Sequence, residues 1–67
     1  MVKIYMLKVY YDNRVEKEVY ITEEQAKASA KKWNENSGRE VWVDELEPEP
    51  ISGQFLKVRA CAKYPKR

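Results

Sequence analysis

The chain has no histidine, a single cysteine and two glycines among its 67 residues. Without histidine there can be no Ser/His/Asp or Cys/His nucleophilic catalysis, no zinc-finger ligand set and no imidazole switch near neutral pH. Cys61 alone cannot form an internal disulfide. The two glycines, Gly38 and Gly53, cannot build a phosphate-cradling loop or a nucleotide fingerprint, and each is explained by a chain reversal. Long apolar runs are also missing, so no segment reads as a membrane span. Met1-Val2-Lys3-Ile4-Tyr5 reads as the start of a strand rather than a signal peptide, so a soluble, cytoplasmic protein is expected.

Charge is present in abundance but is arranged in blocks. The total of +2 conceals a segment from Glu40 to Pro50 with five acids and no base, followed by one from Ile51 to Arg67 with five bases and no acid. Blocks of this kind fit neighbouring strands of one sheet. The acidic block lacks the spacing and internal glycine of a calcium loop, so no metal and no cofactor are expected. Three serines, Ser29, Ser37 and Ser52, have neither an orienting histidine nor a recognisable cleft, so no catalytic residue is assigned and the chain is expected not to be an enzyme.

The elements follow from periodicity. Residues 2–11 are β-branched, aromatic or long aliphatic, Asp12-Asn13 signals a turn, and residues 15–21 alternate, which together predict a hairpin. A two-residue Asp12-Asn13 loop would oppose Lys8 to Lys17 and Leu7 to Glu18, and like charges directly opposed are unfavourable. An odd loop pairs Lys8 with Glu16 or Glu18 instead. That register puts Tyr5, Leu7 and Val9 on one face with Val15, Val19 and Ile21, and Ile4, Met6, Lys8 and Tyr10 on the other with Glu16, Glu18 and Tyr20.

Thr22-Glu23-Glu24-Gln25 has the form of a helix-initiating capping box, with two acids facing the positive end of the helix dipole. Ala26, Ser29, Ala30 and Trp33 form a narrow stripe at helical spacing, with Trp33 expected to be buried, and Gly38 is the natural left-handed stop. Residues 39–46 alternate as a third strand with Val41 and Val43 inward. Residues 47–53 hold two prolines and a glycine and read as a loop. Residues 54–63 form a fourth strand with Leu56, Val58, Ala60 and Ala62 inward, and residues 64–67 are a basic tail. The prediction is one domain, 1–67, of class α+β: ββαββ, a four-stranded mostly antiparallel sheet with one helix on one face.

One helix cannot cover both faces of that sheet. The uncovered face is expected to hold Trp42, Phe55, Tyr20 and Met6 interleaved with Lys57 and Arg59, and these six are the candidate partner-binding residues. Aromatic anchors with an arginine are what protein interfaces concentrate. In size and layout the chain is similar to small accessory proteins of phages and mobile elements that bind and block a host protein, a likeness carried by no motif. The expected function is therefore a non-enzymatic interaction module acting on a protein partner, a second copy of itself included, with no membrane and no small-molecule substrate. The alternative is a single-stranded nucleic-acid binder, which Glu16, Glu18 and Asp44 on the same face would oppose. A third reading has the proline-containing loop or the basic tail folding back over the face.

Overall fold

The computed structural model describes residues 2–67, leaving Met1 outside the described residues. The order is β1 (Ile4–Tyr10), β2 (Val15–Tyr20), α1 (Glu23–Ser37), β3 (Glu40–Pro48) and β4 (Phe55–Tyr64). The strands form a single antiparallel sheet in the order β2-β1-β3-β4, with α1 on one face. The ββαββ class is as read from the sequence. β1 and β3 are central, which accounts for apolar residues on both faces of β1.

The helix begins and ends where its caps dictate. The Thr22 hydroxyl accepts from the Gln25 amide at 3.2 Å, and Gly38, at φ 70°, donates its amide to the Asn34 carbonyl. That left-handed geometry is the conformation glycine reaches without a Cβ penalty. Ala26 and Ala30 let the helix come close to the sheet, where Leu7, Val9, Val41 and Val43 complete a small core.

The buried stripe of the helix is rotated from the expected one. It runs Ala26, Ala30, Asn34, while Trp33 packs at the margin and stays partly exposed. Asn34 donates through Nδ2 to the Arg39 and Pro65 carbonyls, both at 2.9 Å, and its Oδ1 accepts from Arg67 Nε at 3.0 Å. The Arg67 amide also donates to the Gly38 carbonyl. The basic tail is thereby fastened to the C-terminal end of the helix and does not lie over the open sheet face.

The β1–β2 register overturns the odd-loop expectation. Lys8 stands opposite Lys17, Leu7 opposite Glu18 and Val9 opposite Glu16. The turn is closed by the Tyr11 amide donating to the Arg14 carbonyl, and Tyr11 is flanked by the Arg14 and Arg39 guanidinium groups at 4.4 and 5.1 Å from its ring centre. Every β2 side chain is consequently on the face opposite to the expected one. Val15 and Val19 point to the open face and are exposed, and Ile21 lies beyond the strand and is exposed as well.

β4 is corrected for a different reason. Two register shifts against β3, between Val43 and Asp44 and between Glu45 and Leu46, leave Cys61 and Val58 unopposed and break the simple alternation. Leu56, Val58 and Ala60 are exposed rather than core, and only Ala62 of the expected inward set packs against the core. β3 runs on to Pro48, and residues 49–54 close the hairpin as a tight turn. In it the Glu49 amide donates to the Gln54 carbonyl at 2.7 Å and the Glu49 carboxylate accepts from Ser52. These polar groups are satisfied within the turn itself.

Candidate functional site

Four of the six candidate residues, Trp42, Phe55, Met6 and Lys57, belong to the sheet face away from the helix. Tyr20 and Arg59 do not. The β1–β2 register pairs Tyr20 with Tyr5 on the helix side, where Tyr20 packs against the core and its hydroxyl donates to Glu18 Oε2 at 2.6 Å. That hydrogen bond to a carboxylate raises the Tyr20 pKa, because a phenolate there would face a second anion. The bulges of β4 turn Arg59 to the helix side, opposite Glu45.

Arg59 acts there as a counter-ion. Its guanidinium reaches Glu45 at 3.1 Å and bonds Glu23 in the first turn of α1. Glu23 also pairs with Lys27 one helical turn on, at 2.9 Å. The bonds from Lys27 and then Arg59 hold the Glu23 carboxyl below its ordinary pKa. Cys61 lies beside this group, within 4.8 Å of the two carboxylates. Burial pushes its thiol pKa up, so the thiol is held in its protonated, less nucleophilic form. Because Arg59 already spans the two carboxylates, the cluster reads as the clasp joining helix, β3 and β4.

On the open face the centre is Asp44, 1 % exposed, lying opposite Met6 on β1 and Ala60 on β4. Lys8 Nζ is 3.2 Å from its Oδ2 and Lys57 Nζ 3.8 Å from its Oδ1, and Oδ1 receives no hydrogen bond. A buried carboxylate thus gathers two lysines from the neighbouring strands. At one end of the face the partly buried Trp42 is flanked by both neighbouring strands: Tyr10 of β1 packs, tilted, at 5.2 Å between ring centres, and Lys63 of β4 lies 4.2 Å over the indole. The indole N–H donates to Glu40 at 2.7 Å. At the other end Phe55, 44 % exposed, sits opposite Pro48.

With Glu16 and Glu18 removed to the other face, the open face presents Lys8, Lys17, Lys57 and Lys63 around apolar side chains, with Asp44 buried and Glu40 bonded to Trp42. Sequence reasoning already placed Lys8 and Lys57 on this face; it missed the exchange of Glu16 and Glu18 for Lys17, which rests on the register of β2, and the loss of Arg59, which rests on the bulges of β4. Among the described residues no helix is long and apolar enough to cross a membrane. No protein-family model, no curated protein and no solved structure matches the chain.

Proposed function

We propose that the protein is a non-enzymatic binding module whose open sheet face docks an apolar protein surface that carries acidic groups. The observation that carries this reading is the state of Trp42. Its indole already lies between Tyr10 and Lys63, so the largest aromatic of the face is not a free platform for a nucleic-acid base, as single-strand recognition by stacking requires. A packed indole rimmed by lysines suits a protein partner, because aromatic anchors supply apolar area and the surrounding cations select acidic neighbours. The same lysines disfavour face-to-face pairing of two copies, since each would meet its own charge.

Affinity capture from the native host, read by mass spectrometry, tests the proposal when the wild type is compared with Phe55→Ala and Lys57→Ala. A protein partner held by the wild type and bound at least about tenfold more weakly by Phe55→Ala supports it, that being the usual scale for truncating an aromatic anchor. Tight binding of a single-stranded oligonucleotide that collapses steeply with salt, without a captured protein, contradicts it.

A further inference from the structure

An antiparallel sheet with one face on a core ordinarily turns polar side chains to the other face. The two central strands here do not. On the face away from α1 they carry Ile4, Met6, Tyr10, Trp42 and Leu46, with Lys8 and Asp44 paired to each other and Glu40 bonded to the indole. The basic tail is fastened to the end of α1 and residues 49–54 close on themselves, so neither covers this apolar seam. Cations border it on both sides: Lys17 on β2, and Lys57 and Lys63 on β4.

We propose that the occupant of this face is an amphipathic helix of a partner protein, packed along β1 and β3 as α1 is on the other side, with acidic residues bordering its apolar stripe on both flanks. The inference rests on the protein-binding reading above and names the element that binds. Length supports it: the seven residues of β1 run about 23 Å, and α1 covers the same strands with 15 residues, about 22 Å of helix. Width supports it too. The edge strands lie three strand spacings apart, roughly 14 Å. A helix is about 10–12 Å across with its side chains and brings a flank to each row of lysines, whereas a single extended segment reaches only one row. An apolar stripe on the seam with glutamates over Lys17 on one side and over Lys57 and Lys63 on the other is complementary in both shape and charge. The exposed Lys31 and Lys32 of α1 make the helix of a second copy the wrong occupant.

Titration of the ¹⁵N-labelled protein with two synthetic helical peptides of about five turns tests this. Both have leucine at heptad positions a and d; positions e and g are glutamate in one and lysine in the other. The glutamate peptide is expected to give saturable shifts of the Met6, Lys8 and Leu46 amides and the Trp42 indole N–H, with the amides of α1 unmoved, and the lysine peptide to bind at least about tenfold more weakly. Lys17→Glu and Lys63→Glu change exposed side chains on opposite edges, and each should weaken the glutamate peptide about fivefold. No saturable shift with the glutamate peptide, equal binding of the two peptides, shifts centred on α1, or an affinity unchanged in both variants would overturn the proposal. An extended peptide of alternating valine and glutamate that binds the face when the helical one does not overturns the helix and leaves the protein-binding reading standing. A single-stranded oligonucleotide that binds while both peptides stay inert overturns both.

Discussion

Lys8 lies directly opposite Lys17 across the β1–β2 ladder, and the Asp44 carboxylate, 3.2 Å from Lys8 Nζ, comes from the strand on the other side. Like charges opposed on two strands cost roughly 0.2–1 kcal/mol. Leaving a buried carboxylate without its cation costs about 3–5 kcal/mol. The greater of these two costs decides the partner of Lys8: it faces Asp44, and β2 is free to adopt the register set by its turn. The exposed position of β2 at the sheet edge lowers the cost further, since neither its valines nor its glutamates are required by the core.

The helix cap is a separable contribution. Thr22→Ala removes the acceptor for the Gln25 amide and is expected to lower stability by about 1 kcal/mol, measured as a denaturation midpoint shifted at constant slope. The open face should keep its binding properties in the folded fraction.

Asn34 joins three segments through one side chain. Asn34→Ala leaves the Arg39 and Pro65 carbonyls without their donor and releases Arg67, so a loss of about 2 kcal/mol is expected. Faster amide exchange at Arg67 and Gly38 should accompany it. Deleting residues 65–67 should cost less than the substitution, because the Arg39 bond survives; denaturant titration of the two variants compares them.

Glu23 makes stability fall in acid. Its pKa is lowered in the folded chain, so its contribution is fully present above the ordinary glutamate value and is lost as pH drops through the lowered one. Glu49, lowered by the Ser52 hydroxyl and amide, adds to the same acid limb. Glu23→Gln should flatten the pH dependence of the denaturation midpoint below the ordinary glutamate range while changing it little in alkali. Equal slopes for the variant and the wild type would show that the Lys27 and Arg59 bonds do not favour the charged form.

The helix was legible in the sequence to its caps because Thr22 and Gly38 act through backbone chemistry within a few residues. The class and the valine face of β3 were legible because Val41 and Val43 are central and buried on a strand whose alternation is intact there. Legibility failed at the edges. In β2 a charge argument restricted to two strands overlooked Asp44 on a third. In β4 the unopposed Val58 and Cys61 reset the alternation twice, turning Arg59 toward Glu23 and Ala60 toward solvent. Asn34 escaped notice because a polar residue on an apolar stripe signals burial only when its hydrogen-bond partners, 31 and 33 residues distant, are known.

The inverted face of β2 underlies the basic open surface, and the cross-strand backbone proton contacts between β1 and β2 measure it most directly. In a nuclear Overhauser spectrum of the isolated protein, contacts should place Lys8 opposite Lys17, Leu7 opposite Glu18 and Tyr5 opposite Tyr20. Contacts that place Lys8 opposite Glu16 or Glu18 would return Val15 and Val19 to the helix side and contradict the inverted register.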